Sequence, residues 1–195
     1  MTHEPPGRRG RVADHGHRRL GIHDVATLDR DAFVARFGGV FEDSPWVAAE
    51  AWTVGPFRSV AELHGTMVGL VERADHAARL AVIQAHPDLA GKAAIAGELT
   101  PESTREQAAA GLDRLTAGQH ARLLELTAAY RERFGFPFIV CAREHTADSI
   151  IATAQARLAH DADDEERTAL AEIAKIAALR LDDLVVDDVP GGTPA

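Results

Sequence analysis

Apolar positions recur every three or four residues along most of the chain, a period that predicts a series of amphipathic helices. Phe33, Val34, Phe37 and Phe41 keep that spacing, with Thr27 or Asp29 as the cap of a first helix. Ser44-Pro45 marks the next start, since Ser caps and Pro suits a first turn; Trp46 and Ala49 follow on one side, with Val47 beside them. Ser59-Val-Ala-Glu62 matches a capping box and opens a helix through about Arg73. Another helix runs from about Asp75 to Gln84, carrying Leu80, Val82 and Ile83. It ends near His86, because Pro87 pushes the residue before it out of the helical region. A polar, Gly-containing loop follows from His86 to Thr100, and helices are expected at 102–115, 117–133, 147–159 and 164–185.

One stretch breaks the period. Phe134-Gly-Phe-Pro-Phe-Ile-Val-Cys-Ala142 has aromatics flanking a proline, which predicts an extended, buried segment. The expected class is therefore all-α: a single-domain irregular helical bundle over residues 25–187 with one extended Phe-Gly-Phe-Pro-Phe segment. Residues 1–24 read as an N-terminal tail, with turn formers, an Arg cluster and four of the ten histidines but no apolar period; residues 188–195 read as a C-terminal tail. His15 and His17, with Asp14 beside them, have metal-ligand character, but a flexible tail offers no scaffold to fix the geometry.

Composition narrows the function classes. Aromatics are only 5% while alanine and leucine dominate, which favours helix over a β-rich core. The single cysteine, Cys141, rules out an internal disulfide and a cysteine-based zinc site, and a reducing, cytoplasmic compartment fits. No stretch approaches the ~20 apolar residues of a membrane span. A net charge of −9 argues against a nucleic-acid surface, so neither membrane nor nucleic acid is expected as a partner.

Phosphate-cradling Gly-rich loops, a His-Glu-x-x-His zinc helix and a Gly-x-Ser-x-Gly elbow are all missing from the sequence. Cys141 lies in apolar Phe138-Ile-Val-Cys-Ala, a setting that suppresses a thiolate. His86 is more promising: it ends an apolar helix, Pro87 fixes the backbone behind it, and an imidazole exchanges protons near neutrality. It also reads simply as a helix end. Ser103-x-x-Glu106 matches a capping box, a reading that outweighs catalysis on pattern alone, although a helix N-terminus also suits an anionic substrate. Arg180 falls at the edge of the apolar stripe Leu170, Ile173, Ala177, Leu181, Leu184 and needs a partner there. It reads either as an arginine snorkelling to solvent or paired with a carboxylate, with Asp183 within reach, or as a clamp for a substrate carboxylate or carbonyl.

At these residues the chain resembles the 2-oxo-4-hydroxy-4-carboxy-5-ureidoimidazoline (OHCU) decarboxylases, which complete the route from urate to (S)-allantoin. The resemblance spans roughly residues 28–185. It rests on His86-Pro-Asp-Leu-Ala-Gly91, Ser103-x-x-Glu106-Gln107 with Ala110-Gly111-Leu112, Tyr130-x-x-Arg133-Phe-Gly-Phe-Pro-Phe138 and Ala178-Leu-Arg180-Leu. Phe41-Glu-x-Ser44-Pro-Trp46 also looks like the family's early motif.

The resemblance implies a cofactor-free carboxy-lyase acting on a small-molecule ureide, with no metal, and a homodimer. It implies that His86 is the catalytic histidine, Glu106 its partner, and Arg180 the residue that holds the substrate from the last helix. Ser103 and Gln107 would contact the substrate; Pro87 and the main chain of Phe138, Ile139, Val140, Cys141 and Ala142 would line the pocket. The rival readings are a lyase or hydrolase for another ureide on the same residues, and a non-enzymatic helical ligand-binding module.

Overall fold

The structure, a computed structural model, describes residues 19–91 and 97–188. Short polar residues set where its helices begin. Asp29 accepts from the Ala32 N–H and starts α2 (Arg30–Phe37); Asp75 accepts from Ala78 and starts α5 (His76–Gln84). Ser59 accepts from Glu62 to open α4 (Val60–Arg73), while the Glu62 carboxylate takes the Arg58 N–H instead of closing the box on Ser59. Pro45 opens α3 (Pro45–Val54), whose buried face is Val47, Ala48 and Ala51, one step round from the expected Trp46 side. Thr116, Thr146 and Asp161 cap α7 (Ala117–Phe134), α8 (Ala147–Arg157) and α9 (Ala162–Leu184).

The element between α5 and α7 departs from expectation. α6 is Pro101–Ala109, not 102–115: the chain turns at Gly111 (φ 77°), where a side chain would be strained, and a 3-10 turn, Leu112–Arg114, follows. The all-α reading otherwise holds, and the Phe136–Cys141 segment, expected to be extended, is buried and non-helical.

The expected tail boundary at residue 24 is corrected. Leu20–Gly21 (β1) pairs in parallel with Val185–Val186 (β2), Leu20 opposite Val185 and Gly21 opposite Val186. The turn α1 (Ile22–Val25) then buries Ile22 and Val25 to 1% and 2% exposure. Burial of these two β-branched side chains in the core ties the segment to the fold. The earlier part of the tail, with Asp14, His15 and His17, lies outside the described residues, as do Lys92 and most of 188–195.

The core is held by Phe33, Phe37, Leu63, Met67, Ile83, Leu123, Ile150 and Ile173, each essentially solvent-free. Helix α9 packs on α2, α4 and α5, so Arg180, near its C-terminal end, is delivered to the interior.

Candidate active site

His86 follows the end of α5, and its ring turns back on that helix. Nδ1 lies 2.9 Å from the Val82 carbonyl, which can only accept, so Nδ1 carries the proton and Nε2 presents its lone pair. Nε2 is buried and makes no hydrogen bond among the described residues, and the whole residue is 5% exposed. Burial drives the imidazole pKa below its ordinary value; the Val82 hydrogen bond and the Glu42 charge pull the other way without overcoming it. Burial thus favours the neutral imidazole, with Nε2 as its proton acceptor.

Helix α6 supplies the facing groups. Thr100, not Ser103, is its cap: the Thr100 side chain accepts from the Ser103 N–H, and Pro101 takes the first turn. The capping-box reading of Ser103 and Glu106 is therefore overturned. Starting the helix three residues earlier places Ser103, Glu106 and Gln107 on one inward face at helical spacing. Ser103 Oγ donates to Glu42 (3.0 and 3.2 Å), and Gln107 Oε1 accepts from the Ala90 N–H at 3.0 Å.

Arg180 is 4% exposed, and all five of its N–H donors have acceptors. Nε and Nη2 reach the two Glu106 oxygens at 2.8 Å each; Nη2 also reaches Ser103 Oγ at 3.2 Å. Nη1 takes the Gly39 carbonyl at 3.1 Å and Glu42 Oε2 at 2.5 Å. Asp183, the partner that spacing offered, pairs with Arg143 instead. Glu106 was expected beside His86 and here engages Arg180. Burial disfavours charge on both Arg180 and Glu42, yet the ion pairs win: Arg180 titrates above and Glu42 below its ordinary range.

The extended segment forms the opposite wall. Arg157 Nη1 holds the Ile139 carbonyl at 2.7 Å, its guanidinium lies 4.8 Å from the Phe138 ring centre, and Glu165 and Tyr130 hold the guanidinium from behind. Glu172 accepts the Cys141 N–H at 2.7 Å. The Cys141 thiol is buried, and burial foremost, with nearby Glu144 and Glu172, pushes its pKa up to about 11.

These walls line a cavity of about 30 Å³, bounded by His86 and Pro87 on one side and by Ser103, Glu106 and Gln107 on another, with Arg180 also on its lining. Phe138, Ile139, Val140 and Ala142 complete it together with Leu89 and Ile176. Cys141, named with them from sequence, does not line it. Glu106 and Arg180 also border an outer pocket of about 460 Å³, into which Arg36, Arg105 and Arg143 face. Glu42 had no role assigned from sequence; the one signal was its place in Phe41-Glu-x-Ser44-Pro-Trp46.

A family model described as OHCU decarboxylase matches residues 26–182. Among curated relatives, the 2-oxo-4-hydroxy-4-carboxy-5-ureidoimidazoline decarboxylase of Haloferax volcanii is 43% identical over 83% of this chain and 94% of its own length. Its namesake in Halalkalicoccus jeotgali is 40% identical over 86% and 93%. A crystal structure of (S)-allantoin synthase superposes with a TM-score of 0.69 at 25% identity, covering 85% of this chain and 54% of the other, so the chain spans about half of that protein.

Proposed function

From the chain's membership of the OHCU decarboxylase family, we propose that it removes CO2 from 2-oxo-4-hydroxy-4-carboxy-5-ureidoimidazoline and leaves (S)-allantoin, as the last step of urate degradation. The observation that carries this is His86: a buried imidazole whose Nε2 has no hydrogen-bond partner among the described residues, on the wall of a cavity also lined by a guanidinium, a hydroxyl and a carboxamide.

When the carbon–carboxylate bond breaks, its electron pair stays on the ring and spreads into the adjoining C–N system, so the substrate is its own electron sink. A proton leaves the hydroxyl or ring, and one arrives on a single face to give one enantiomer. His86 Nε2 is the group that takes and returns it, since its lowered pKa keeps it a base at neutral pH. Glu106 stabilises the imidazolium once it forms, and Arg180 with Ser103 and Gln107 holds carboxylate and carbonyl oxygens. Pro87 and the backbone of Phe138–Ala142 shape the opposite wall.

A ring bearing carboxyl and ureido groups is larger than about 30 Å³, the space of one or two waters, so binding it takes more room than this cavity holds as it stands. A cytoplasmic homodimer is part of the proposal, and sedimentation checks the assembly.

The test is to give the purified protein freshly made substrate and follow allantoin by circular dichroism, with and without EDTA. Dextrorotatory allantoin should form at an enhanced rate that needs no added cofactor and survives the chelator. Racemic product at the spontaneous rate would sink the reading.

A further inference from the structure

Two carboxylates share the one guanidinium of Arg180, and they are held very differently. The Glu42 side chain is 3% exposed and accepts from Thr100 Oγ1 (2.9 Å), Ser103 Oγ and Arg180, so α6 and α9 both grip it. Its own backbone sits at φ 50°, a left-handed conformation that a non-glycine residue holds only when its surroundings enforce it. The Glu106 side chain is 14% exposed, is anchored by Arg180, and borders both the inner cavity and the outer pocket. Glu42 is gripped by three side chains, whereas Glu106 is held at Arg180 and borders the outer pocket.

We infer that Glu42 is the resident counter-ion of Arg180, a positioning residue that allows Glu106 to leave the guanidinium and serve His86 and the substrate. A single carboxylate could not do both: if Glu106 turned away from an otherwise unpaired Arg180, it would leave a buried, uncompensated cation. With Glu42 in place, Arg180 stays neutralised and hydrogen-bonded on Nη1 while Nε and Nη2 become available to substrate oxygens. The arrangement also accounts for a guanidinium whose five donors are all taken in a cavity too small for substrate. This inference rests on the proposed decarboxylase reading.

The charged groups that act on His86 are Glu42 and Asp43 from the α2–α3 connection and Arg180 from α9, with Glu106 of α6 lining another side of the same cavity. Wild-type turnover is measured first, and its absence overturns the functional reading alone. The His86 imidazole is then titrated by NMR in ligand-free wild type, Glu42→Gln and Glu106→Gln. Loss of the fixed charge should lower the His86 midpoint in Glu42→Gln by more than in Glu106→Gln. Turnover in Glu42→Gln should fall by about 10²-fold, the scale of a misplaced catalytic group, with KM within a few-fold of wild type. Glu42→Asp keeps the charge and should recover most of the midpoint and part of kcat; it also serves if Glu42→Gln does not fold. A folded Glu42→Gln with wild-type kcat, a larger midpoint shift in Glu106→Gln, or a Glu42→Asp as impaired as a charge deletion would each overturn the assignment.

Discussion

Arg180 and Glu106 face each other through two parallel hydrogen bonds, Nε to Oε1 and Nη2 to Oε2, each 2.8 Å long. The bidentate geometry is the strong form of this pair. It joins the last helix to α6 across the cavity and settles why Glu106 is not a cap: its carboxylate is spent on a guanidinium 74 residues away.

Glu106→Gln keeps one acceptor for Arg180, and Glu42 still balances the charge. Stability should fall by about 1.5–3 kcal/mol, the worth of a hydrogen bond to a charged group. Turnover should fall by roughly 10²–10⁴-fold as acid–base assistance is lost. Urea melts and steady-state kinetics on the same preparation separate the two; near wild-type turnover would remove Glu106 from the chemistry.

His86→Asn should abolish turnover to at least the same degree, and Glu106→Gln added to it should cost little more, because groups acting as a unit are not additive. The substitution also has a signature in stability. Burial lowers the folded pKa of His86, so around and below the ordinary value of about 6.5 the unfolded chain binds a proton that the folded chain refuses. His86 therefore destabilises the fold as pH drops through that window. Comparing urea midpoints at pH 7.5 and 5.5, the loss on acidification should be smaller in His86→Asn than in wild type; equal losses would contradict the burial argument.

Arg157→Met leaves Glu165, a fully buried carboxylate, with His160 and Tyr130 as its remaining partners, and frees the Ile139 carbonyl. Breaking such a buried pair costs about 3–5 kcal/mol. The thermal midpoint should drop accordingly. At a temperature where the variant is still folded, KM should rise, since the wall at Phe138–Ala142 loses its tether.

Truncation tests the corrected start of the domain. Removing residues 1–18 should leave the melting temperature and turnover near wild type. Removing 1–25 also deletes the β1–β2 pairing and buried Ile22 and Val25, each worth about 1.5–3 kcal/mol. Equal stability of the two truncations would show that these residues contribute nothing to the core.

Local signals determined most of the architecture. Helix existence, the stop at Pro87 and the extended Phe-Gly-Phe-Pro-Phe segment were legible because apolar period, caps and proline act over a few residues. His86 stood out for the same reason. What the chain alone left undecided depended on contacts between distant segments. Ser-x-x-Glu is a capping box only if the helix starts at that Ser; Thr100 and Pro101 compete for the start, and once they win, the same residues face inward. Arg180 on its stripe announced that it needed a partner, yet its nearest carboxylate in sequence, Asp183, was drawn to Arg143, and the partners came from Glu42 and Glu106, 138 and 74 residues away. Sequence spacing ranks neighbours along one helix; a buried charge takes whichever acceptors the packing of several helices brings within hydrogen-bond reach, and only the folded chain brings Glu42 there.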